Sequence, residues 1–188
     1  MKEIALHIMD IAQNSIRAGA DEIRITLSES VTDDLLSLTI ADNGKGMDQE
    51  SCRRAADPWF TSRTTRKVGM GLPLLKMNAG LAGGEMTISS APGIGTTVKA
   101  TFGYSHVDRP PLGDVSGTIA LLILSNPSIN IVYSHICEGT QWSISTREIK
   151  EALGEDAVTD LTIVRPVREI ITENVTGIRN FQTGYDKY

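Results

Sequence analysis

The sequence predicts an α+β fold in which helices pack on a mainly antiparallel sheet. Three observations predict it. The chain opens on an amphipathic helix. Two alternating strands follow so closely that they pair as a hairpin. A further helix then precedes a second pair of strands joined by a short glycine-rich turn. At 188 residues there is room for one domain, or for one domain with a smaller appendage.

Residues 2–18 read as one helix. At about 100° per residue, Ile4, Ile8, Ile11, Ala12 and Ile16 fall on one half of the wheel. Asp10, Asn14 and Arg17, spaced i, i+4, i+7, form a polar stripe on the other half. Gly19 is a natural helix stop. Residues 22–28 alternate as a half-buried strand, 29–34 make a polar turn, and 35–41 alternate again up to Asp42. Residues 48–56 form a short helix with Asp48 at its start. Residues 57–68 change character: hydroxyls crowd together with Arg63, Arg66 and Lys67, as in a mobile surface loop. Gly69-Met70-Gly71-Leu72 opens another helix that runs to residue 79. Gly83-Gly84 is a turn, and 86–89 and 97–102 are strands joined by Pro92-Gly93-Ile94-Gly95. Residues 103–116, with Pro110-Pro111 and Gly113, read as a linker. Beyond it, 117–125, 129–136 and 140–145 read as three strands, followed by helices at 146–153 and 158–174 and a frayed end.

Composition narrows the function classes. The net charge of -5 argues against a general nucleic-acid binder. The two cysteines, Cys52 and Cys137, make neither a disulfide framework nor a metal cluster, and read as buried thiols in a reducing cytoplasm. The N-terminus lacks the apolar core of a signal peptide, and the apolar run 119–124 is too short to span a bilayer, so no direct membrane insertion is expected.

Four features carry the chemistry. They are the helix bearing Asp10 and Asn14, the strand end Asp42-Asn43-Gly44-Lys45-Gly46-Met47, the basic stretch entering a helix at Gly69, and the turn Gly95-Thr96. Two glycines after an acid let the backbone turn tightly and approach a ligand. A glycine-rich basic loop entering a helix N-terminus is an anion site, because free N–H groups and the positive end of the dipole face the ligand. In this order the four resemble the boxes of the GHKL superfamily of ATP-binding domains, also called the Bergerat fold. Gyrase, the mismatch-repair protein MutL and the catalytic domains of histidine kinases belong to it. The resemblance covers residues 3–103. It implies a two-layer α/β sandwich with a mixed, mainly antiparallel sheet. Residues 1–104 would form a histidine-kinase-like ATP-binding domain and 105–116 a linker. Residues 117–188 would make a small α/β extension of no assigned family.

The resemblance also implies roles. Asp42 accepts a hydrogen bond from the adenine amino group, which a carboxylate can do for adenine and not for guanine. Gly44, Gly46 and Met47 shape the floor of that pocket. Asn14 offers a carbonyl oxygen to Mg²⁺, and Arg17 lies where histidine kinases usually carry a phosphate-contacting lysine. Phe60 and Thr61 resemble the histidine-kinase F box. Lys67 belongs to the short basic lid, Gly69, Met70, Gly71 and Leu72 hold phosphates through backbone N–H groups, and Thr96 closes the site. Asp10 is either the general base, on a stem one methylene shorter than the usual glutamate, or a surface carboxylate with at most a water-mediated part in metal binding. His7, inside the same helix, is not read as a phospho-acceptor.

Three functions remain open at this point. The chain transfers the γ-phosphoryl group of Mg-ATP to a partner protein as a kinase-like module; it hydrolyses ATP; or it is an ATP-gated interaction switch whose C-terminal segment meets a partner. No phospho-acceptor hairpin precedes the Asn14 helix, so a complete histidine autokinase is not expected. A homodimer is left open.

Overall fold

A computed structural model describes residues 3–55, 71–155, 158 and 160–183. The opening helix, α1 (Ile4–Arg17), buries Ile4, Ile8, Ile11 and Ala12 as the wheel predicts. No side chain caps its start. Its first N–H groups instead donate to the carbonyls of Pro111 and Leu112, each at 2.9 Å, so a distant segment satisfies groups that a helix start leaves unpaired. Gly19 ends the helix with φ near 75°.

The hairpin forms as expected. β1 (Glu22–Ser30) and β2 (Leu35–Asp42) pair antiparallel, with Ile25 opposite Ile40 and Leu27 opposite Leu38. The period of two then sends Ile23, Ile25, Leu27, Leu36, Leu38 and Ile40 to one buried face. α2 (Gln49–Ala55) starts where expected, with the Asp48 carboxylate accepting from the Ser51 N–H at 2.7 Å. α3 (Gly71–Leu81) leads into β3 (Met86–Ala91) and β4 (Gly95–Gly103), which complete the first half.

The largest correction lies at 117–125, read from sequence as a strand. These residues belong to a helix, α4 (Val115–Ser125), and the last two residues of the expected linker start it. Asp114 is its N-cap and accepts from the Gly117 N–H at 2.9 Å. The run carries no polar stripe because α4 packs against α1 and the C-terminal helix at once, and Ile119, Ala120, Leu122, Ile123 and Leu124 are all buried. An apolar run of this length has no period to read.

β5 (Asn130–Cys137) and β6 (Thr140–Ser145) are strands, and α5 (Thr146–Leu153) is a helix, as expected. The last predicted helix begins later and ends later: a 3₁₀ turn at Leu161–Ile163 precedes α6 (Val164–Thr183). One six-stranded sheet runs in the order β3-β4-β2-β1-β5-β6. Only β1 and β5 are parallel, so the sheet is mixed and mainly antiparallel. Helices α1, α3, α4 and α6 pack on its apolar face. A row running Thr26, Thr39, Lys99, Thr87 across β1, β2, β4 and β3 points the other way. The fold is the expected α+β sandwich, with β5 and β6 carrying the same sheet into the C-terminal residues. Among the described residues no helix is long and apolar enough to cross a membrane.

Candidate functional site

α1 is central to the site because two of its residues reach two different structures, Asp10 the start of α3 and Ser15 the end of β2. Asp10 lies against the start of α3: a Cβ placed on Gly71 would sit 2.8 Å from the Asp10 Oδ2. A side chain there would have to displace the Asp10 carboxylate, which stands beside the first residue of α3. One turn on, the half-buried Asn14 accepts at Oδ1 from the exposed Arg17, at 3.0 Å. Next to it, Ser15 is buried and its hydroxyl donates to Asp42 Oδ2 at 2.6 Å.

The Asp42 carboxylate is thus oriented from two sides. Its other oxygen accepts from the Gly44 N–H at 3.0 Å. Each carboxylate oxygen has a second lone pair, so an exocyclic amine can still be received. The loop that follows is fixed by contacts only glycine allows. Gly46 has φ near 64°, and a Cβ there would overlap the Ala91 carbonyl; a Cβ on Gly95, at φ near 127°, would overlap the Asp42 carbonyl. Ser90 ties the two turns together. Its hydroxyl accepts from the Met47 N–H at 2.8 Å, donates to the Gly95 carbonyl at 2.8 Å, and lies 2.9 Å from the Thr96 hydroxyl. A cavity of about 530 Å³ continues from Ser90 between α2, α3 and β3, where Arg53 and Lys76 add positive charge. Cys52 lines it half-buried, not fully buried as the sequence suggested, and its thiol donates to the Ile88 carbonyl at 3.7 Å.

Contacts therefore join Asp42 and Gly44 to α1 through Ser15, tie Gly46, Met47 and Thr96 together through Ala91 and Ser90, and bring Asp10 to Gly71, while Asn14 and Leu72 have no hydrogen bond to these groups among the described residues. Arg17 contacts Asn14. Phe60, Thr61, Lys67, Gly69 and Met70 lie outside the described residues, as does the basic stretch with Arg63 and Arg66. His7 is fully buried against α3, with Nε2 2.9 Å from Asn78 Nδ2, and burial pushes its imidazole down to about 4. That burial removes it from any acceptor role.

A divalent metal fits the donor set in one way. Among the described residues no three His, Cys, Asp or Glu side chains converge. Asn14 would supply one neutral oxygen, which suits Mg²⁺, an ion that keeps waters and takes its remaining ligands from phosphates. Arg17 donates to one lone pair of that oxygen and leaves the other for the metal.

Ser15 and Ser90 are absent from the sequence reading. A signal existed for Ser15. It lies four residues after Ile11 and seven after Ile8, on the apolar face, where a hydroxyl needs a partner. Ser90 had none, since a serine in an alternating strand looks like a solvated position.

Comparison with known proteins is consistent with this arrangement. The model of the histidine kinase-, DNA gyrase B-, and HSP90-like ATPase family matches residues 2–106, more than half of the chain. The non-motile and phage-resistance protein of Caulobacter vibrioides is 30% identical over 115 residues, covering 58% of this chain and 14% of that protein. Histidine protein kinase DivJ of the same organism is 32% identical over 103 residues, covering 53% of this chain and 17% of that protein. The aligned part is thus a small share of either relative. A crystal structure of the N-terminal domain of a DNA repair protein superposes with a TM-score of 0.59 at 16% identity, covering 83% of this chain and 58% of that one. That likeness is one of fold.

Proposed function

Because the chain belongs to the histidine kinase-, DNA gyrase B-, and HSP90-like ATPase family, and that family supports ATP binding, we propose that it binds Mg-ATP between α1, the Asp42 loop and α3 and transfers the γ-phosphoryl group to a partner protein. The observation that carries the reading is α1 itself. One helix sets Asp10 beside the start of α3 and, through Ser15, orients the carboxylate of Asp42. Adenine and phosphates would then be held by rigid elements at the two ends of a single nucleotide.

In this reading Asp42 receives the adenine amino group, and Gly71 and Leu72 donate backbone N–H groups to phosphate oxygens. Asn14 holds Mg²⁺, which when bound neutralises charge on the phosphates during transfer. Asp10 takes the proton from the attacking hydroxyl or imidazole of the acceptor. The similarity to histidine protein kinase DivJ supports a protein acceptor.

The second reading is hydrolysis, and the position of Asp10 favours it equally. A carboxylate beside the phosphate site serves a water as readily as a protein nucleophile. Incubation with γ-labelled ATP, with and without candidate partners, separates the outcomes. Label on a partner establishes the kinase, labelled free phosphate establishes the ATPase, and neither leaves an ATP-gated switch. Asp10→Asn should lower turnover by about 10²-fold or more at unchanged nucleotide affinity; full turnover in that variant would remove Asp10 from the mechanism.

A further inference from the structure

A second cavity, of about 420 Å³, opens between the start of α4, β5 and α6. Its size is that of a small-molecule site. It shares no lining residue with the nucleotide region. We propose that it binds a small organic acid, with the carboxylate on Arg168 and the hydrocarbon body against Leu112, Val115 and Val175.

The argument begins with donors. On α6, Arg168 and Arg179 both line the cavity. They are three turns apart, about 16 Å along the axis, so the cavity is a slot with a guanidinium at each end. Thr176 and Ser116 add hydroxyls along it. The start of α4, an 11-residue helix, adds the positive end of its dipole.

Resident carboxylates already occupy both guanidinium ends, which shows the chemistry each accepts. At the closed end, Glu29 is 4% exposed, and its Oε1 takes hydrogen bonds from Arg179 Nε at 2.8 Å and His135 Nε2 at 2.6 Å. Burial alone would raise this carboxyl. The bonds from His135 and Arg179 outweigh it and hold the group below the usual carboxylate range. A buried pair of this kind is costly to open, so that end is fixed.

The other end is exchangeable. Arg168 Nη2 lies 3.2 Å from Asp114 Oδ2, and both side chains are more than half exposed at 55% and 56%. Such a pair is worth little in water. Asp114 can release Arg168 and still cap α4, because its Oδ1 serves the Gly117 N–H. An incoming carboxylate would therefore replace a weak contact. Its hydrocarbon part would cover the half-buried Leu112, with the last exposed edges of Val115 and Val175 beside it, a contact that a free inorganic anion lacks.

The test uses the full chain, with sodium butyrate, inorganic phosphate and sodium chloride titrated at matched ionic strength. Binding is followed by calorimetry and by the NMR signals of the Arg168 Nε–H and the His135 ring. Butyrate is expected to bind saturably and to shift the Arg168 signal, while the His135 ring at the fixed end of the slot stays unmoved. Arg168→Gln should weaken it at least about tenfold, or 1.4 kcal/mol. Thr176→Leu, which fills the slot and leaves every charge in place, should abolish it. The proposal is overturned if butyrate does not saturate, if both variants bind it like the parent, or if phosphate or chloride binds as well as butyrate.

Discussion

Asp42 and Glu29 are two carboxylates on adjacent strands of one sheet, and they are treated in opposite ways. Asp42 ends β2 at a glycine loop, is only half-buried, and is oriented by Ser15 and the Gly44 N–H. Glu29 lies inside β1 on the helix face, is 4% exposed, and is closed in by His135 and by Arg179 from a helix 150 positions away. The first carboxylate is positioned and left available. The second is consumed in holding α6 to the sheet. Orientation by neutral donors leaves a carboxylate free to bind, whereas burial against a guanidinium and an imidazole makes it structural.

That contrast can be broken most forcefully at the structural end. Glu29→Ala strands Arg179 and His135 beneath α6 and should lower unfolding free energy by about 3 kcal/mol in urea titration, at the low end for a broken buried pair. The low end applies because the Arg179 side chain is 39% exposed and can rehydrate. The folded fraction should bind an ATP analogue as the parent does; a parallel loss of affinity would show that the two regions are not separate.

A somewhat smaller effect should follow from pH. Burial in the folded state lowers the His7 imidazole from its usual 6.5 to about 4. Its contribution to stability is therefore complete above the unfolded value and is lost as pH falls toward 4, because the unfolded chain takes up the proton first. The parent should lose about 2–3 kcal/mol across that window. His7→Gln should flatten the profile, and an unchanged slope would move the effect to other groups.

The smallest effect belongs to Ser15→Ala. It removes one hydrogen bond to Asp42 and should cost about 1 kcal/mol of nucleotide affinity, about fivefold, with stability nearly unchanged. An effect on stability alone would place Ser15 with the structural carboxylate's partners.

The same contrast explains what could be read from sequence. The helix of Ile4 to Arg17, the hairpin and the glycine-flanked Asp42 were legible, since each rests on local periodicity or on a turn that needs glycine. Gly95 was legible for the same reason, as its φ and its approach to the Asp42 carbonyl exclude a side chain. The α4 helix was not, because contacts with both α1 and α6 bury most of its circumference and its exposed position 121 is itself a leucine, so no polar stripe marks the helix. The Glu29 network was hidden twice. Glu29 was assigned to a turn that begins two residues later, and its partners are remote in the chain. Of the site, the motif residues were visible, while the serines that orient them were not, because a lone hydroxyl carries no period.

The central claim, an adenine-nucleotide site organised by Asp42, is tested most directly by calorimetric titration of a non-hydrolysable ATP analogue with Mg²⁺. The parent and Asp42→Asn are compared, with the matching GTP analogue as control. The account predicts that the parent prefers the adenine compound and that Asp42→Asn loses about 2 kcal/mol, about thirtyfold, while keeping its fold. Equal affinity in the two proteins, or no preference for adenine in the parent, would contradict it.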